Sequence, residues 1–128
     1  MKNTILTLLA ASVGLLLMSR PAEAHHGWLD FDSSREVTLE ATVTDFHFTN
    51  PHCVVEFSVK DEKGQILKWQ GEFASPGELG RKSWTAASLQ PGDKIVISGH
   101  PAKDKSPAMH VTKIRMPDGQ DVKIEGGR

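Results

Sequence analysis

From Glu36 to Phe48 apolar and polar positions alternate, with Val37, Leu39, Ala41 and Val43 on one face and Phe46 and Phe48 continuing it after a slip of one residue. A period of two is that of a strand with one face against a core, and the slip predicts a β-bulge near Asp45. Thr49-Asn50-Pro51 is a turn cluster. Cys53, Val55, Phe57 and Val59 then restart the alternation and predict the second arm of a hairpin. Asp61-Glu62-Lys63-Gly64 turns the chain into a third strand marked by Leu67, Trp69 and Phe73, in which Gly71 allows a bend.

The period changes at Ser75-Pro76-Gly77-Glu78, which predicts a short helix: Ser75 suits the N-cap, Pro76 the first turn, and Glu78 a capping box. A turn unit from Trp84 to Leu89 and the breaker Pro91-Gly92-Asp93 precede a fourth strand over Lys94–Gly99. The polar loop Pro101–Pro107 leads to a fifth strand, Met109–Met116, and Pro117-Asp118-Gly119 turns into a last short strand around Val122 and Ile124. Three strands, a short helix and two or three more strands give an all-β fold, an OB-type barrel of five to six strands with its helix between strands three and four. A two-sheet sandwich is the alternative arrangement of the same strands.

The first residues have a different pattern. Lys2, an apolar run from Ile5 to Met18 and the small-residue step Ala22-Glu23-Ala24 are the parts of a cleaved secretion signal over 1–24. The apolar run is shorter than the roughly 20 residues of a membrane span. The expected organisation is therefore a signal peptide, an extended N-terminal segment over 25–35 and one barrel domain over 36–125. Export from a Gram-negative cell would place that domain in the periplasm, with no membrane span after cleavage.

Charge narrows the partners. The whole chain carries 15 basic and 16 acidic residues, and without Lys2, Arg20 and Glu23 the balance is 13 to 15. A mildly acidic surface without interleaved basic and aromatic residues argues against nucleic acid. Cys53 is the single cysteine, so no internal disulfide forms, and its alternation phase makes it a core residue. Met109 and Met116 read as core filling, with Met109 a ligand only if its strand is irregular. Trp69 follows the core phase and Trp84 closes the barrel base, whereas Trp28 either packs or stacks on a ligand ring.

Histidine changes the picture most. All six histidines lie beyond the signal, at His25, His26, His47, His52, His100 and His110. Alternation turns His47, His52, His100 and His110 away from the apolar face. His47 and His52 flank the loop between strands one and two, and His100 and His110 the loop between strands four and five. In an OB barrel these loops border the usual binding face, so two to four imidazoles are expected to converge there and hold copper or zinc. The plainer reading is solvated histidines at loop ends.

Cleavage after Ala24 would put a free amine on His25, and amine with imidazole chelates copper in tetragonal geometry; cleavage before Ala24 would put His26 third, which also suits Cu²⁺. Asp30 and Asp32 are candidate outer partners of such a site.

Ala24-His25-His26, Phe31-Asp32, Val37-Thr38-Leu39-Glu40, Thr49-Asn50-Pro51-His52, Arg81-Lys82-Ser83-Trp84-Thr85, Ser88-Leu89-Gln90-Pro91-Gly92-Asp93 and Gly99-His100-Pro101-Ala102-Lys103-Asp104 follow one another in the chain. As an ordered set they resemble a family of small secreted proteobacterial proteins of unknown function. The resemblance implies export and domain identity and brings no chemistry with it. A metal-binding module is thus the first functional expectation. A non-catalytic OB module for an oligosaccharide, peptide or envelope protein is the alternative. No Ser/His/Asp or Cys/His grouping and no phosphate-cradling glycine motif is legible, and an oxidative copper centre on His25 is the enzymatic alternative.

Overall fold

The computed structural model describes residues 30–124. The expected signal peptide, His25, His26 and Trp28 lie outside them. The elements are β1 (Val37–His47), β2 (Val54–Lys60), β3 (Ile66–Glu72), α1 (Pro76–Gly80), β4 (Lys94–Pro101), β5 (Ala108–Arg115) and β6 (Asp121–Lys123). Strands β3-β2-β1-β4-β5-β6 are neighbours in that order, and β3 also pairs with β5. That last pairing is parallel, over Gln70–Glu72 and Ala108–His110, and closes the first five strands into a mixed barrel. The fold is the expected OB-type barrel, with β6 as an added strand on β5 and the helix between β3 and β4.

Two bulges set which side chains face inward. Val43 pairs with Phe57 but Asp45 with Glu56, so Thr44 is an extra residue in β1. Before it Ala41 and Val43 are buried; after it Phe46 turns inward while Asp45 and His47 turn outward. Likewise Ser98 pairs with Lys113 but Gly99 with Val111, which leaves Thr112 extra in β5. The inward set there passes from Met109 and Val111 to Ile114. A one-residue insertion reverses the face of all that follows, which is how each bulge bends its strand without exposing the core.

The core runs from Cys53, Val55 and Phe57 on β2 through Ile95 and Ile97 on β4 to Met109, Val111 and Ile114 on β5. At one end α1 contributes Leu79, followed by Trp84 and Leu89. Ser75 caps the helix, its Oγ accepting from the Glu78 N–H at 3.3 Å. The Trp84 ring lies 6.0 Å from that of Phe46 and 5.7 Å from that of Phe73, an edge-rich aromatic cluster. Trp69 is half-buried and stacks on Phe57 with centroids 6.3 Å apart. Met109 is fully buried and Met116 partly so, both as core filling, and the extra residue at Thr112 lets two positions of opposite phase face inward.

Candidate metal centre

The residues before β1 are built onto the barrel. Asp32 N–H donates to the Pro101 carbonyl and Lys103 N–H to the Asp30 carbonyl, both at 2.8 Å, and Phe31 bridges to Ala102. The Lys103 ammonium meets the Asp30 carboxylate at 2.9 Å. Residues 30–32 thus lie along the chain just beyond His100. Asp32 accepts from the Ser34 backbone and hydroxyl, which hold its carboxyl below the usual range. The site beside which both aspartates were expected, at His25 and His26, lies outside the described residues.

His100 and His110 are direct cross-strand partners on β4 and β5. Glu72 is the direct partner of His110 across the β3–β5 pairing. Cross-strand partners project to the same side about 5 Å apart, so Glu72, His110 and His100 form a row on the outer face of three neighbouring strands. His52, just before β2, extends the row: its Nδ1 lies 3.7 Å from Glu72 Oε1.

Two of these rings are fixed by main-chain acceptors. His100 Nδ1 is 2.7 Å from the Arg35 carbonyl and His52 Nδ1 is 3.2 Å from that of Phe73. A carbonyl only accepts, so Nδ1 is the donor, and the lone pair of the neutral ring is on Nε2. This is how proteins orient histidines that ligate metals. The His110 ring lies against Phe31, centroids 5.7 Å apart.

His47 belongs elsewhere. Its Nε2 is 3.5 Å from Asp45 Oδ2 and 3.4 Å from Glu56 Oε2, on the outer face of β1 and β2. Among the described residues these three form the group whose donor atoms all lie within 4.8 Å of one another, and all three are exposed. The loop histidines therefore divide: His52, His100 and His110 share a row with Glu72, and His47 has its own acidic partners. Cys53 is fully buried, and burial pushes its thiol up despite a hydrogen bond with the Thr49 backbone, so it is not a donor to either group.

The carboxylates Asp45, Glu56 and Glu72 were not singled out by the sequence reading. The hairpin register carries the signal for the first two, because placing the bulge at Thr44 sets Asp45 opposite Glu56. Glu72 has no such signal, since its meeting with His110 depends on the long-range closure of β3 on β5.

A groove of about 690 Å³ runs beside the His47 group, bordered by Thr44, Asp45, Glu56, Lys68, Gln70 and Ser106. It follows the face on which OB barrels take ligands. A second groove, of about 710 Å³, lies beside Lys60, Ile66, Lys94 and Arg115 and has no histidine among its lining residues. No described helix is long and apolar enough to cross a membrane.

Fold and side chains together define a small OB-type barrel with histidines arrayed on its outer face. The chain belongs to a family of unknown function (DUF6152), whose model matches residues 12–110 and so spans all six histidines. No curated protein and no solved structure matches it.

Proposed function

We propose that this protein is an exported, periplasmic binding module for a divalent transition metal, copper or zinc, held by the row His52, Glu72, His110 and His100. The observation that carries the reading is the pair of Nδ1-to-carbonyl bonds at His52 and His100. Each selects the tautomer that offers Nε2 to an ion, and each rests on main chain. A solvated loop histidine has no such restraint. Imidazole nitrogens suit zinc and copper, and a carboxylate is an acceptable companion ligand for either. Export is supported by the charged start, apolar run and Ala-x-Ala step of residues 1–24.

The Asp45–His47–Glu56 group is more compact, but its geometry is also that of an imidazolium between two carboxylates at an exposed site. No hydrogen bond to main chain fixes its ring among the described contacts. It is therefore the weaker candidate for a resident ion.

Calorimetric titration of the untagged protein with Zn²⁺ and Cu²⁺, beside a His52→Ala, His100→Ala double variant, tests the proposal. One-to-one binding that is lost in the double variant and kept in His47→Ala is expected. Loss in His47→Ala alone would move the site to the acidic group. The absence of binding would overturn the metal reading.

The groove along Asp45, Glu56, Lys68 and Gln70 favours a second reading, a module that grips a polar oligosaccharide or peptide. Backbone NMR shifts confined to those residues on addition of short glycans or peptides would support it.

A further inference from the structure

We infer that a second copy of this chain completes the metal site: across a two-fold axis, His52 and Glu72 of one copy and His100 and His110 of the other hold one Zn²⁺, and the same pairs exchanged hold another. This rests on the histidine row being the metal site, and adds to that reading the partner and the metal.

The row consists of two unlike pairs. At one end His52 meets Glu72, with its Nδ1 3.7 Å from Glu72 Oε1. At the other end His110 and His100 are direct cross-strand partners on β5 and β4. Residues opposed in this way stand about 5 Å apart, close enough for two imidazoles to share one ion. Glu72 and His110 adjoin at the middle, across the β3–β5 pairing. Within one chain the two pairs do not close on each other: among the described residues the row holds no three donor atoms within 4.8 Å of one another. The four donors of a tetrahedral zinc lie closer, about 3.3 Å apart.

Symmetry supplies the other half of each site. In a two-fold dimer one patch meets itself, so that residue i of one copy touches j of the other and j touches i. The row runs in the order His52, Glu72, His110, His100, with its unlike pairs on either side of the midpoint. An axis between Glu72 and His110 lays the imidazole–carboxylate pair of one copy over the imidazole pair of the other, twice. Facing sheets pack about 10 Å apart, a gap that side chains of this length bridge from both sides with an ion between them. The Nδ1 bonds of His52 and His100 to main-chain carbonyls leave Nε2 as the donor in each pair. Three imidazoles and one carboxylate, brought as two pairs from opposite sides, make a closed tetrahedral set. That set suits Zn²⁺, whereas Cu²⁺ favours a tetragonal one.

The test follows the mass of the untagged protein by sedimentation velocity, in chelator and then with one equivalent of Zn²⁺. A monomer is expected in chelator and twice that mass with Zn²⁺, at one ion per chain, reversed when chelator is restored. Two variants, His52→Ala with Glu72→Gln and His100→Ala with His110→Ala, should each stay monomeric with Zn²⁺. Mixed in equal amounts they should regain the doubled mass at one ion per two chains, because the pair left in one meets the pair left in the other. Urea unfolding midpoints establish that the variants are folded, and the wild-type masses decide the question without them. Zn²⁺ bound one to one with the mass unchanged would overturn the two-fold site and leave the row as the metal site of a single chain. A doubled mass in either variant alone, or folded variants that regain nothing on mixing, would also overturn it. The absence of Zn²⁺ binding would overturn it too, and with no Cu²⁺ binding either would end the metal reading.

Discussion

His100 shows what a single residue owes to its surroundings. Alternation along β4 turns its side chain outward, and that much is legible in the sequence. The Arg35 carbonyl that fixes its tautomer is a main-chain atom 65 positions away and has no sequence signature. Cys53 is the opposite case, because its inward phase was readable and its burial is complete. Because burial raises its thiol, Cys53 should resist an aromatic disulfide reagent at neutral pH in the native protein and react fully in urea. Rapid native reaction would show that the β2 end of the barrel opens.

At the surface, the hydrogen bonds from Arg115 hold the Asp121 carboxyl below the usual aspartate range. A carboxyl depressed in the folded state contributes stability above its unfolded value, and loses it as pH falls through the folded one. The pair is exposed, so the contribution is small. Arg115→Ala should raise the Asp121 titration midpoint toward the ordinary aspartate value, as followed by carboxyl NMR.

Among the elements, the two bulged strands do most to position the site. Alternation alone located the first bulge, since Val43 and Phe46 cannot share a face without an extra residue between them. The second, at Thr112, was hidden because Met109 to Met116 contains enough apolar residues to satisfy either phase. Beside it lies Gly99, where an added Cβ would stand 2.3 Å from the His110 carbonyl oxygen. Main chain cannot swing aside as a side chain can. Gly99→Ala should therefore cost at least about 1–3 kcal/mol in urea denaturation, and weaken metal binding by shifting His110. A variant of unchanged stability would show that β4 and β5 are more loosely paired than their register implies.

At the scale of the whole molecule, the barrel type was legible and the register of its closure was not. Period-two segments, a capped helix after the third and turn residues between them identify the barrel type. The parallel meeting of β3 and β5 spans three residue pairs and leaves no local mark. That meeting brings Glu72 to His110, which is why the row could be anticipated only as histidines near two loops. The closed end depends on Trp84 against Phe46 and Phe73. Trp84→Ala should destabilise the domain by about 3–5 kcal/mol in chemical denaturation. A loss under 1 kcal/mol would mean the barrel can refill that end.

The most direct test of the account is the protonation and ligation state of the imidazoles, read by long-range ¹H–¹⁵N correlation NMR before and after one equivalent of Zn²⁺. The account predicts Nδ1–H tautomers for His52 and His100 without metal, and large shifts of their Nε2 resonances and that of His110 on saturation. Shifts confined to His47, or Nε2–H tautomers at His52 and His100, would contradict it.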